Sequence, residues 1–298
     1  MRSRRSSPAE ALRVEMRTNG MAGGNVVMEE TAMGKVFLVG AGPGDPELLT
    51  LRAARLLDQA DIVLHDALVT TEILAMISPA AKVIDIGKRC GRKLLTQAEI
   101  NSLLIACAAT SEVVIRLKGG DPCIMGRAGE EIEALAKAGI AFEIVPGITS
   151  ALAGAAAAGI SLTDRRFASS VVFTTGHRGD DADAVEWNKL VSSNSSLAVY
   201  MPGSDYRCLS EQLCHAGLAP NTPCVVISGA GRGDQQVLWT DIDRLARREP
   251  LPAPALVIVG RCAGRAHEVA HATEACRDWP STDASASFDR LGFESIKP

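Results

Sequence analysis

The residues best suited to chemistry lie between Arg116 and Glu131, in the order RLKGGDPCIMGRAGEE. A strand tail, EVVIRL over 112–117, breaks into Gly119-Gly120-Asp121-Pro122, and a second glycine turn leads to a helix start at Glu130-Glu131. Paired glycines free the backbone to take positive φ and to come close to a bound molecule. Asp121 puts a carboxylate at the C-terminal end of a strand, where α/β proteins place their ligands. Pro122 stops the strand, since it has no ladder donor. A plain connection needs only a few residues, and this one uses about ten, rich in glycine and charge, so it reads as a binding loop.

Three other segments carry chemistry. Gly40-Ala41-Gly42-Pro43-Gly44-Asp45-Pro46 is a glycine turn after a first strand, but Pro43 and Asp45 break the G-x-G-x-x-G dinucleotide pattern. Asp45 and Glu47 at a helix start would also repel a pyrophosphate. What remains open is a pocket wall for a neutral or cationic group, or a purely structural turn. Asp66 ends the second strand and Lys88 follows the third, on the rim that holds Gly42 and Gly119, which makes the two candidates for proton transfer. Lys88, Arg89, Arg92 and Lys93 crowd one loop. With Arg116, Lys118 and Arg127 on the same rim they suit a multiply anionic ligand, the alternative being a solvated face. Finally, residues 267–271 read His-Glu-Val-Ala-His, the H-E-x-x-H pattern of zinc proteases. No later histidine offers a third ligand, so the reading adopted is a chance match in a surface helix, with no metal site.

These residues need a scaffold, and the bulk numbers allow one. The chain has 298 residues, 47% hydrophobic and 22% charged, enough for two ordinary domains or one large one. A net charge of −4 argues against general nucleic-acid binding, so an acidic ligand must meet local basic clusters. The eight cysteines are scattered without a CxxC pair, which suits a reduced, cytoplasmic protein. Residues 1–33 open with a basic segment that lacks a signal-peptide apolar core, and Glu10 and Glu15 count against a transit peptide; a disordered extension is expected. The uncharged run 145–162 is mostly alanine and glycine, which predicts a helix packed on a sheet rather than a membrane span.

From Lys35 strands alternate with helices. Strands are expected at 35–40, 61–65, 82–87, 112–117 and 141–145, with helices over 46–60, around 70–77, and after a capping box of Thr96 and Glu99. That order predicts an α/β fold with a mostly parallel sheet. The small-residue helix leads to strands at 169–176, 196–201, 223–229, 235–240 and 255–260, with GAGRGDQQVLWT as a hairpin, so the second sheet is expected to be mixed. The division predicted is an N-terminal domain over 34–155, a C-terminal domain over 156–264 and a loosely ordered polar tail over 265–298.

VGAGPGDPELLTLRA (39–53), DIVLHDALV (61–69), Gly87-Lys88, RLKGGDPCIMGRAGEE (116–131) and VPGITSA (145–151) occur in an order that resembles the uroporphyrinogen-III C-methyltransferases, which are tetrapyrrole methylases. TGH (175–177), VYM (199–201), GDQQV (233–237) and PALVIVG (254–260) fit as well, so the resemblance runs from about Gly34 to Gly264. It implies two α/β domains with S-adenosylmethionine in the cleft between them, used up as S-adenosylhomocysteine, in a homodimer. By motif position, Pro43, Gly119, Gly120, Asp121, Ile124, Thr149, Ser150, Met201 and Ala230 would contact that cofactor. Asp66 matches the family's proton acceptor and Lys88 its proton donor. Arg89, Arg92, Arg116, Lys118 and Arg127 would then hold the acetate and propionate groups of uroporphyrinogen III. The chain departs from the family's Pro-Leu-Thr-His-Arg at Ser161 and Asp164, and has Met125 where Phe is common.

Overall fold

Short apolar runs bracketed by glycine, proline and aspartate become the strands. The computed structural model describes residues 33–89, 92–93, 95–176 and 185–272. The side chains of Lys88, Arg89, Arg92 and Lys93, the extension over 1–32, His177 and the tail beyond 272 lie outside the described residues.

The first sheet contains β1 (Lys35–Gly40), β2 (Ile62–His65), β3 (Lys82–Asp85), β6 (Val113–Lys118) and β7 (Phe142–Val145). Its order is β3-β2-β6-β1-β7, with every pairing parallel. The central strands read as continuous apolar runs because helices cover both faces. On one face Phe37, Val39, Ile115 and Leu117 meet Leu57 and Ile73 from the helices Leu51–Asp58 and Thr71–Leu74. On the other, Val36, Leu38 and Val114 meet Leu104 and Leu135 from the helices Gln97–Ala108 and Ala128–Lys137. Thr96 and Glu99 form the expected capping box. The helix expected over 46–60 is split. Asp45 caps a single 3₁₀ turn at Pro46–Leu48, and Thr50, in extended conformation, starts the helix Leu51–Asp58 by accepting from the Ala53 N–H at 3.1 Å. The basic loop after β3 folds as a small antiparallel hairpin, β4 (Lys88–Arg89) with β5 (Arg92–Lys93).

The second sheet holds β8 (Ser170–Thr175), β9 (Ser195–Tyr200), β10 (Pro223–Ser228), β11 (Gln236–Asp241) and β12 (Ala255–Val259), in the order β11-β10-β12-β9-β8. Only the β8/β9 pairing is parallel, and β10 and β11 form the expected hairpin, so the sheet is mixed. The small-residue segment is the helix Ser150–Ala157, and the expected boundary near residue 155 falls in its last turn. The described residues from Gly34 onward form one compact unit. Where a loosely ordered stretch was expected after residue 264, the chain continues as the helix Arg261–Ala272. Cys262, Ala263 and Ala266 fall on one stripe and pack against Val225 and Ile258, so burial of that stripe outweighs the polar composition around it. No helix among the described residues is long and apolar enough to cross a membrane.

Because all strands of the first sheet are parallel, their C-terminal ends share one rim. Gly40, His65, Asp85, Lys118 and Val145 are the last residues there, and the loops that follow them build the site.

Candidate active site

β1 and β6 are neighbours in register, Gly40 opposite Lys118, so the two glycine loops leave the sheet side by side. They are tied together at once. The Ala41 N–H donates to the Lys118 carbonyl (2.7 Å), and Gly42 and Gly120 exchange both N–H···O bonds (3.1 and 2.7 Å). The exit of β7 joins this knot through Asp121, whose Oδ2 accepts from the Gly147 N–H at 3.0 Å and whose Oδ1 accepts from the Cys123 N–H at 2.8 Å. A Cβ on Gly40 would stand 2.6 Å from the Gly147 nitrogen, and one on Gly147 would meet the Gly120 carbonyl oxygen. These two glycines are therefore required by backbone packing alone. Gly120 differs: its φ is +69°, and a Cβ there would meet nothing closer than Thr149 Cα at 3.7 Å. What requires glycine at 120 is its left-handed backbone, since a Cβ would only touch Thr149 and Ser150 at ordinary van der Waals distance.

The second sheet supplies the facing wall. The Tyr200 hydroxyl and Thr149 Oγ1 share a buried hydrogen bond of 2.6 Å, and burial raises the phenol's pKa, keeping it neutral. Met201, next along, is 51% exposed with φ +47°, an uncommon conformation for a side-chain-bearing residue. Ile124 packs on Ala151, Ala198 and Tyr200. Gly231, beside the buried Ala230, has no Cβ because Pro43 Cγ would lie 2.6 Å from it. Arg232 Nη2 donates to the Leu68 carbonyl at 2.8 Å, and Thr70 Oγ1 donates to the Gly44 carbonyl at 2.8 Å. The structure thus brings Pro43, Gly119, Gly120, Asp121, Ile124, Thr149, Ser150, Met201 and Ala230 into one neighbourhood. Sequence reasoning missed Gly147, Tyr200 and Arg232. Tyr200 carried a signal, since a strand-end tyrosine beside the apolar Val199 needs a partner for its hydroxyl.

Asp66 stands on the same rim with its side chain 28% exposed. Its Oδ1 accepts from the Leu68 N–H (3.0 Å) and its Oδ2 from the Gly119 N–H (3.3 Å), so the carboxylate is fixed directly against the glycine loop. Gly87 packs on Ala67, whose nitrogen would lie 2.5 Å from a Cβ at Gly87. The backbone of Lys88 therefore leaves the sheet beside the loop that carries Asp66.

Two of the expected anion-binding cations are placed otherwise. Arg116 and Lys118 are only 5% and 3% exposed, because they point to the face of β6 covered by the helix Ala128–Lys137. There Glu131, 0% exposed, takes Arg116 Nε on one oxygen at 3.0 Å and Lys118 Nζ on the other at 2.9 Å. Burial, reinforced by the neighbouring guanidinium, pulls the Lys118 ammonium below the usual lysine range. Arg127 is exposed but forms a bidentate pair with Glu130, 2.7 Å on each arm. Asp164, the departure at the junction, is likewise used locally: Arg166 grips both its oxygens and holds its carboxyl well below the usual range.

Two other features fall away from this site. An open cleft of about 560 Å³ between the helices Tyr206–His215 and Ile242–Leu245 has its arginines already paired, Arg207 with Asp205 and Arg247 with Asp243. The His-Glu-Val-Ala-His stretch does lie on a helix, Arg261–Ala272, where the His267 ring lies 5.1 Å from Trp239 and Glu268 pairs with Arg265. The His271 side chain lies outside the described residues, and among those described no group of three or more metal-ligating side chains comes together.

Comparison with known proteins agrees with this fold. Residues 35–246 match the family described as Tetrapyrrole (Corrin/Porphyrin) Methylases. Siroheme synthase 1 of Yersinia enterocolitica is 46% identical over 240 residues, which cover 80% of this chain and 50% of that protein. The chain thus spans about half the length of the curated relatives it matches. The uroporphyrin-III C-methyltransferase of Thermus thermophilus, solved with S-adenosyl homocysteine, is 34% identical with a TM-score of 0.69, covering 78% of this chain and 100% of that one. A cobalt precorrin-4 methyltransferase of cobalamin biosynthesis is 27% identical with a TM-score of 0.67, covering 77% of this chain and 95% of its own.

Proposed function

This chain belongs to the tetrapyrrole (corrin/porphyrin) methylase family, a family of methyltransferases, and from that premise we propose that it methylates uroporphyrinogen III at C2 and C7, giving precorrin-2 for sirohaem or cobalamin synthesis. The observation that carries the reading is the juxtaposition of the Gly119-Gly120 loop with the Asp66 carboxylate, joined through the Gly119 N–H at 3.3 Å. When bound, S-adenosylmethionine supplies an electrophilic methyl group. The residues around it orient and exclude water: Pro43, Gly120, Asp121 and Ile124 from the first sheet, and Met201 and Ala230 from the second, with Thr149 and Ser150 at the helix between. An electron-rich pyrrole carbon needs mainly alignment to react, which a tightly bonded rim provides. Asp66 then takes a proton released as the ring system rearranges around the newly quaternary carbon, and Lys88 donates one where that rearrangement needs it.

Arg89 and Arg92 lie on the β4/β5 hairpin that extends from the rim, and we assign them to the substrate's carboxylates. Arg116 and Lys118 drop from that role because they are buried and held by Glu131, and Arg127 would have to leave Glu130 to take part. The working protein is proposed to be a cytoplasmic homodimer, divided near residue 155.

The test is anaerobic incubation with S-adenosylmethionine and uroporphyrinogen III, read by absorbance and mass. A gain of two methyl groups is expected. A second reading, methylation of a later precorrin, is favoured by the likeness to the cobalt precorrin-4 enzyme. Turnover of such a compound with none of uroporphyrinogen III would replace the first reading. Binding of both compounds without turnover would leave a tetrapyrrole-binding protein.

A further inference from the structure

Among the described residues, Arg116, Lys118 and Glu131 stand out as ionisable side chains closed off from solvent. Residues two apart on a strand share a face, so Arg116 and Lys118 necessarily enter the same interior. Isolated charges there are costly, and a buried ion pair is often no more stabilising than an apolar replacement. Stability alone is therefore a poor account of three of them directly under the rim.

The geometry gives a better one. Glu131 Oε1 holds Arg116 Nε at 3.0 Å, and Gln97 Nε2 donates to the same oxygen at 3.3 Å. Glu131 Oε2 holds Lys118 Nζ at 2.9 Å, and Arg116 Nη1 donates to the Leu117 carbonyl at 3.0 Å. Arg116 is thus pinned at two points. Its remaining arm, Nη2, stops 4.0 Å from Asp66 Oδ2, too far for a hydrogen bond yet near enough to attract the charge. The other described groups facing Asp66 are the amides of Leu68 and Gly119, the buried Lys118, and His65, whose ring faces the Asp66 carbonyl at 3.0 Å.

We propose that Glu131 is a positioning residue for proton transfer: by holding Arg116 back, it keeps the guanidinium out of hydrogen-bond reach of the Asp66 carboxylate, whose oxygen is left to take a proton from substrate. Without Glu131, the guanidinium closes the gap, makes a direct pair with Asp66 and weakens it as a base. This inference rests on the proposed function for its kinetic part only.

The variants are Glu131→Gln and the double variant Lys118→Met/Glu131→Gln. The double variant removes both charges of one pair, so the net charge beneath Asp66 is unchanged and no orphaned ammonium threatens folding. A displaced titration then reports the movement of Arg116. Two measurements are made: a ¹³C NMR titration of the Asp66 carboxylate, assigned with Asp66→Asn, and the pH dependence of kcat for methylation. In the double variant the carboxylate is expected to titrate at lower pH than in the unaltered protein, with the acid limb of kcat displaced the same way. The rate is expected to fall by about tenfold, with S-adenosylhomocysteine affinity retained. An unmoved titration, with activity and thermal stability falling in parallel, would show a merely structural role and overturn the inference. If the unaltered protein does not methylate uroporphyrinogen III, the proposed function fails, and the NMR titration still decides the role of Glu131.

Discussion

The knot of three loops predicts that one substitution, glycine to alanine, has opposite effects at two positions. At 147 the added methyl meets the Gly120 carbonyl oxygen and lies 2.9 Å from Gly40 Cα, both backbone atoms that no rotamer change can move. Overpacking of this kind costs about 1–3 kcal/mol. The loops must also part, which strains the paired bonds between Gly42 and Gly120 (3.1 and 2.7 Å). At about 1 kcal/mol for each bond lost, the total reaches about 3–5 kcal/mol. For a domain of this size that lowers Tm by about 6–20 °C. At 129, inside the helix Ala128–Lys137, a Cβ would meet nothing within 4 Å. There alanine removes the entropy of a helical glycine and gains about 0.5–1 kcal/mol, or about 1–4 °C. Thermal unfolding followed by circular dichroism, with calorimetric titration of S-adenosylhomocysteine, reads both. Gly147→Ala is expected to lose affinity along with stability, and Gly129→Ala to keep it. If Gly147→Ala unfolds at the temperature of the unaltered protein and binds normally, the loops are not held by backbone contact and the account of the rim is wrong.

Three further outcomes are expected. Asp66→Asn and Lys88→Met should lose turnover while S-adenosylhomocysteine affinity is retained, since asparagine is isosteric and keeps an oxygen for one of the two backbone donors, Leu68 and Gly119; full activity in both variants would remove the acid/base assignment. Thiol labelling at pH 8 should modify the exposed Cys123 and Cys208 quickly and leave Cys224, pushed up to about 12 by burial, untouched until unfolding; cofactor binding should protect Cys123, beside Asp121, and not Cys208. Because burial lowers the pKa of Lys118, the unfolded chain binds more protons than the folded one at alkaline pH, so this group makes stability rise with pH up to the ordinary lysine value of about 10.4. Urea unfolding of Lys118→Met should show a shallower rise over that window, and an identical slope would contradict the burial.

Much of the scaffold was legible because its signals are local. Period and punctuation located the strands, the Thr96–Glu99 box marked a helix start, and GAGRGDQQV marked the hairpin between β10 and β11. Parallel order then put Gly42, Asp66, Lys88 and Gly119 on one rim, since a strand's C-terminal end is fixed by chain direction alone. Other expectations failed where burial outweighed composition. The helix Arg261–Ala272 runs through a stretch that reads as polar, because Cys262, Ala263 and Ala266 find an apolar sheet face to cover.

The charges show most clearly what sequence leaves undecided. Arg116 and Lys118 share a face by their spacing, and that much is determined by the strand. Which face is buried depends on where a helix ten residues long packs after a loop. Glu130 and Glu131 are adjacent and chemically identical, yet one pairs with Arg127 in solvent and the other is enclosed with two cations. The same holds for the glycines. Sequence marks all of them as permissive backbone, while only the packed loops show that Gly40 and Gly147 are needed by their neighbours and that Gly120 is needed for its positive φ. Chain direction and periodicity determine which residues reach the rim. Long-range packing, which sets the distance between groups far apart in the chain, decides what each one touches there.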